Sequence, residues 1–121
     1  MINISSDIPT IRIDVKNSRI HIHNRSLKKI ASPSFVCLGY NPKTKVLLIL
    51  AARSGEQGAL RLHFDNHGSC YIHSKRMIEG IRVVSGLLTE DKSYLLTGKV
   101  LTEIPAIVFP IKSYIITEGT E

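Results

Sequence analysis

The sequence predicts a mostly β fold with two short helices, an α+β class, in which two similar ββαββ units form one compact domain. Several short segments alternate apolar and polar side chains, as half-buried strands do. Two other segments begin with a polar cap and place apolar residues at helical spacing. The stretch IHIHNRSL at residues 20–27 returns as CYIHSKRM at residues 70–77. A chain of 121 residues buries one modest core, which the two units are expected to share.

The first unit is predicted to open with a β-hairpin over residues 10–23. Apolar and polar side chains alternate from residue 10 to residue 16, which is the period of a strand with one buried face. The dipeptide Asn17-Ser18 has turn chemistry, and RIHIH at residues 19–23 alternates again.

A short helix and a second hairpin complete this unit. Asn24 is predicted to cap the helix RSLKKIA at residues 25–31, which Pro33 prevents from continuing. FVCLGY at residues 35–40 and KVLLILAA at residues 45–52 then read as two strands joined by a turn.

The chain then divides into a linker and a second unit. The first unit spans residues 10–51, the linker spans 52–58, and the second unit spans 59–111. The linker ARSGEQG holds two glycines and is otherwise mostly polar.

The second unit repeats the element order of the first. Its predicted elements are a strand at 60–65, a turn at 66–68, a strand at 69–73, a helix at 75–88 capped by Ser74, and strands at 93–101 and 106–111. Its first hairpin is less basic than that of the first unit. The matched pairs are Arg12 with Arg61, Lys16 with Asp65, and Arg19 with Ser69.

A specific pattern runs from Thr10 to Ala51. A β-hairpin with a small residue before a basic one in its turn, Asn17-Ser18-Arg19, is followed by a strand, the short basic helix RSLKKIA and a second hairpin. This pattern resembles the swapped-hairpin unit of the AbrB, SpoVT and MazE family. Two such units interlock their hairpins into one β-barrel, and MraZ-like members carry both in one chain. The resemblance implies a swapped-hairpin, β-barrel-like body.

The resemblance also implies DNA binding through the first hairpin and the helix start of each unit. The leading hypothesis is therefore a DNA-binding transcriptional regulator of a plasmid, phage or other mobile element. Independently, a net charge of +6 and a pI near 9.6 suit a partner that carries phosphates. The candidate DNA-contacting residues are Arg12, Lys16, Arg19, Arg25, Lys28 and Lys29 in the first unit, and Arg61, Lys75 and Arg76 in the second.

A second interpretation belongs to a different functional class. The same basic chain suits a protein-binding module, antitoxin-like or an inhibitor, that blocks a partner protein with an acidic surface or a nucleic-acid channel. The sequence leaves both interpretations open, and it also leaves open whether the chain is a monomer or a homodimer.

Several functions lack a signal in the sequence. There is no GxSxG, P-loop or HExxH motif, so we expect no enzyme and no cofactor. The histidines lack Cys or carboxylate neighbours at ligand spacing, and we expect no metal. The longest apolar run is VLLILAA, too short to span a membrane. The N-terminal residues show no secretion signal, so a cytoplasmic location is expected, with Cys37 and Cys70 as free thiols.

Overall fold

The structure, a computed structural model of the chain, describes residues 8–65 and 69–117. Strands make up 45% of it, in two antiparallel sheets accompanied by two α-helices. The predicted mostly β, α+β class is therefore confirmed. The turn predicted at residues 66–68 lies outside the described residues.

The elements follow one another along the chain. The strands are β1 (Thr10–Asp14), β2 (Arg19–His23), β3 (Phe35–Asn41), β4 (Val46–Ala52), β5 (Leu60–Arg61), β6 (His63–Phe64), β7 (Ser69–His73), β8 (Ser93–Thr97), β9 (Lys99–Val100), β10 (Ala106–Pro110) and β11 (Ile115–Thr117). The helices are α1 (Asn24–Lys28) and α2 (Lys75–Ser85), and a 3-10 turn covers Ile111–Ser113.

The strands fall into two sheets, which we name sheet A and sheet B. Sheet A has the order β11-β8-β1-β2-β7-β6, and sheet B has the order β5-β3-β4-β10-β9. The first hairpin, β1–β2, therefore joins β7 of the second half, while the hairpin β3–β4 joins β10.

One buried cluster lies between the inner faces of the two sheets. Sheet A contributes residues such as Ile13 and Ile20, and sheet B contributes residues such as Leu47 and Phe109, all 0% exposed. Helix α2 adds Ile78 and Ile81 to the same cluster. Because both sheets fill one core, the outer face of each points away from it.

The expected barrel is wrong, because the two sheets stay open. Two predicted strands each bend at one residue and change sheet. The chain leaves sheet B at β5 and enters sheet A at β6, with the buried Leu62 between them donating its N–H to Ser34 O at 3.0 Å. The chain likewise passes from β8 in sheet A to β9 in sheet B at Gly98. Strands that switch in this way make corners between packed sheets.

The helix boundaries differ from those predicted. The N-cap of α1 is His23, not Asn24, because the His23 Nδ1 atom accepts the Arg25 N–H at 3.1 Å. Ser74 caps α2 as predicted, and its hydroxyl accepts the Met77 N–H at 3.3 Å. Helix α2 ends at Ser85 instead of residue 88, because Gly86 takes a left-handed conformation with φ of 70°.

Strands β2 and β7 pair with a notable register. His21 lies opposite Tyr71, Ile22 opposite Cys70 and Ile20 opposite Ile72. His21 and Tyr71 are also the residues that correspond when 20–27 is matched to 70–77. The antiparallel pairing of β2 with β7 is therefore centred on two residues, His21 and Tyr71, that the sequence match treats as equivalent.

Neither helix in the described ranges has the length and apolar character needed to cross a membrane.

Candidate nucleic-acid interface

Alternation along β1 and β2 fixes which side chains point away from the core. Ile11 and Ile13 are buried, so Arg12 between them points outward, and the buried Ile20 and Ile22 turn His21 outward in the same way. Strand β7 follows the same rule. We name the resulting surface the open face; its residues are Arg12, Asp14, Arg19, His21, His23, His63, Ser69, Tyr71 and His73.

A row of four polar side chains crosses the middle of the open face. The register places Arg12 opposite His21, His21 opposite Tyr71, and Tyr71 opposite His63. The Tyr71 and His63 rings stack with centroids 5.2 Å apart, and the His21 ring lies 5.9 Å from that of Tyr71. Cross-strand neighbours on one face are close enough for such ring contacts.

Arg19 joins this row from the next position along β2. Its guanidinium carbon lies 4.5 Å from the centroid of the Tyr71 ring, which is a cation–π contact. The Arg19 Nε atom is buried without a hydrogen-bond partner among the described residues. The aromatic ring therefore restricts where the guanidinium can point.

Arg12 and Arg19 form no ion pair with another described residue. Within residues 8–65 and 69–117, neither Arg12 nor Arg19 has a carboxylate oxygen at ion-pair distance. Asp14, which lies opposite Arg19, instead accepts hydrogen bonds from the N–H and the side-chain amide of Asn17, at 3.3 and 2.8 Å. The guanidinium groups are thus available to an external anion.

The charged groups of the open face shift the pKa of His21. Partial burial and the nearby Arg12 lower the pKa of this imidazole below its usual value of 6.5, with Asp14 opposing and Arg19 adding to the effect. His21 also lines a shallow cleft of about 300 Å³ together with Arg12, His23, Ser69 and Asp65. The middle of the face is therefore a partly enclosed, polar site.

The other predicted residues lie mostly at the two ends of the β2–β7 ladder. At one end the Ser74 N–H donates to Ser18 O at 3.0 Å, which brings the first turn of α2 beside the β1–β2 turn. This end carries the exposed Lys16, Lys75 and Arg76. At the opposite end α1 follows β2 directly and carries the exposed Arg25 and Lys28 and the half-buried Lys29.

Arg61 is not part of this surface. The sequence match pairs it with Arg12, but β5 belongs to sheet B, where Arg61 lies opposite Phe35. Arg61 lies outside sheet A because the chain bends at the buried Leu62 and enters sheet A only at His63. Arg61 therefore lies in the other sheet and does not occupy a position equivalent to that of Arg12.

The sequence reasoning missed Tyr71, His63 and His73 as members of the surface. Alternation in SCYIH does orient Tyr71 and His73 away from the buried Cys70 and Ile72. What alternation cannot supply is the pairing of β7 with β2. The match between residues 20–27 and 70–77 was the available signal, because it sets His21 and Tyr71 as equivalents.

Sheet B carries a very different outer face. An open groove of about 830 Å³ runs along it, with Gly39, Val46, Leu48 and Val108 in its lining and Lys43 in the adjoining turn.

Across the described ranges, no three His, Cys, Asp or Glu side chains are placed to hold a metal ion on either face.

Searches against protein-family models, curated proteins and solved structures found no match to this chain.

Proposed function

We propose that this chain is a DNA-binding transcriptional regulator that contacts DNA with the open face of sheet A. One observation carries the proposal. Arg12 and Arg19 come from different strands, lie on the same open surface and have no ion-pair partner among the described residues. Guanidinium groups in this state are suited to phosphate oxygens and to the edge of guanine.

The basic ends of the ladder extend the proposed surface. Lys16, Lys75 and Arg76 at one end, and Arg25 and Lys28 at the other, flank the central row. Each cation that neutralises a phosphate releases a counterion, so such a surface gains affinity that falls steeply with salt. Contacts of this kind position the duplex, while base edges supply sequence preference.

We also propose that the two halves of the chain are copies of one unit, related to the AbrB, SpoVT and MazE family. The β2–β7 register supports this, because it is symmetric about His21 and Tyr71, the residues that the sequence match equates. The different outward residues at Arg19 and Ser69 then mean that the two copies do not contact DNA equally. A palindromic operator would require two chains.

The test is a titration of the protein into labelled mixed-sequence duplex DNA at about 50 mM and about 200 mM salt, read by fluorescence anisotropy. We expect binding at low salt that weakens sharply at high salt. In the double variant Arg12→Ala/Arg19→Ala, the slope of log affinity against log salt is expected to flatten by about 2.

Arg53→Ala is the matched control, because Arg53 is an exposed arginine in the loop after β4, on the sheet B side. It is expected to reduce affinity less than either arginine of the open face. Equal effects of Arg53→Ala and the double variant, or no binding at low salt, would exclude the open face as the DNA site.

A second candidate function is that of a protein-binding module, antitoxin-like or an inhibitor. The apolar groove of sheet B favours it, since a monomer seldom exposes a continuous apolar surface without use. The exposed Lys43, and Lys99 opposite Val108, would select a partner segment with carboxylates beside its apolar side chains.

A further inference from the structure

Three histidines on the open face have no structural role in hydrogen bonding. The imidazole rings of His21, His63 and His73 form no hydrogen bond with any residue of the described ranges, although those of His21 and His63 contact the Tyr71 ring. His23 on the same face differs, because its Nδ1 atom accepts the Arg25 N–H and caps α1. The three remaining imidazoles are free to gain a proton without breaking a hydrogen bond.

The fixed charges around His21, in the middle of the open face, cancel. Arg12 and Arg19 supply two positive charges, and Asp14 and Asp65 supply two negative charges near its ring. With neutral imidazoles the middle of the open face therefore has a formal charge of zero. Protonation of all three would raise it to +3, and imidazole is the side chain that changes charge between about pH 5 and pH 8.

We propose that His21, His63 and His73 belong to the DNA-binding surface and that duplex DNA binds the open face with uptake of protons by these imidazoles. This inference rests on the proposed function. It adds three binding residues to that surface and makes the affinity for DNA increase as the pH falls.

The groups that face each imidazole support proton uptake on binding. His21 faces Arg12 and Asp14 of β1, Arg19 of its own strand, Tyr71 of β7 and Asp65 beyond β6. In the free protein, burial and the two arginines lower its pKa.

The other two imidazoles have simpler surroundings. His63 stacks on Tyr71, which carries no charge. His73 lies opposite Arg19, at the end of the ladder where the exposed Lys75 begins α2. DNA phosphates above the face would add negative charge next to all three.

The direction of the effect follows from linkage. Phosphates favour the protonated imidazole, so the complex holds more protons than the free protein at the same pH. Affinity therefore rises as pH falls, and each proton taken up strengthens binding by at most about tenfold per pH unit.

The experiment measures the Kd of a mixed-sequence DNA duplex from about pH 8 to about pH 6 at constant ionic strength, for the full chain and two variants. We expect the unchanged chain to bind about tenfold or more tightly at about pH 6 than at about pH 8. The triple variant His21→Gln/His63→Gln/His73→Gln is expected to lose most of that dependence.

Lys16→Gln is the comparison variant, since it removes a charge that is present at every pH from an exposed residue that does not shift the pKa of His21. It is expected to weaken binding at both ends of the range while keeping the steep pH dependence. Circular dichroism at about pH 6 checks that α1 and the sheets persist at the acid end of the range.

The outcomes separate the two claims. Absence of DNA binding at every pH and salt overturns the proposed function, and this inference with it. Binding whose Kd does not change with pH, or whose pH dependence survives in the triple variant, overturns this inference and leaves the proposed function standing.

Discussion

At the residue scale, the open face combines a fixed cation with aromatic support. The Tyr71 ring holds the Arg19 guanidinium at 4.5 Å, so less conformational freedom remains to be lost when an anion binds. Arg12 lacks such a support and lies at the other end of the central row, beyond His21. The two arginines are therefore expected to contribute differently to affinity, although both carry the same charge.

The two cysteines give a residue-scale prediction that is independent of any ligand. Burial raises the pKa of the Cys70 thiol to about 11, from an ordinary value of 9.0, with Asp65 adding to the effect. A rise of this size reduces the reactive thiolate about 100-fold at neutral pH, and the side chain is 1% exposed. Cys37 is only half-buried, so it is expected to react with a thiol reagent in the native protein well before Cys70.

The measurement is the number of thiols that react quickly before and after unfolding in urea. The Cys37→Ser variant should show no fast-reacting thiol in the native state and one after unfolding. Rapid native-state labelling of Cys70 in that variant would contradict the packing of β7 against β2.

At the element scale, two glycines in strand-forming segments have opposite roles. A Cβ at Gly98 would lie 2.5 Å from Val108 O and 2.6 Å from the Phe109 ring, where the chain changes sheets. A Cβ at Gly39 would meet only Leu48, at an ordinary 3.9 Å. The close approach at the corner therefore requires glycine at residue 98, whereas the packing of β3 does not require it at residue 39.

These distances predict the effect of two alanine substitutions on the free energy of unfolding. Gly98→Ala is expected to lower it by about 2 kcal/mol, because Phe109 and the β10 backbone must shift. Gly39→Ala is the matched control and should change it by less than about 0.5 kcal/mol. Urea unfolding followed by circular dichroism measures both. Similar losses in the two variants would show that the corner at Gly98 is not tightly packed.

The sequence predicts individual strands better than it predicts their partners. Alternation is a local property, so it correctly places β1, β2 and β7 and turns Arg12 and His21 outward. It carries no information about the bends at Leu62 and Gly98, which depend on contacts with Ser34 and Phe109 far away in the chain. For the same reason it groups Arg61 with Arg12 and misses the neighbours of Tyr71.

At the scale of the whole molecule, one core separates two unlike surfaces. The open face of sheet A is polar and carries arginine, histidine and tyrosine, whereas the groove of sheet B is apolar with lysines at its margin. The first surface suits a polyanion and the second suits an apolar protein segment. The two candidate functions therefore use opposite sides of the molecule, and a ligand's position distinguishes them.

The most direct test of the account is a map of backbone amide chemical-shift changes when duplex DNA is added at low salt. If the open face binds DNA, the largest changes cluster on that face, at Arg12, Arg19, His21 and Tyr71, and Gly39 and the rest of the sheet B groove are unaffected. Changes confined to the groove, or spread evenly over both surfaces, would contradict the central claim that the open face of sheet A is the DNA-binding surface.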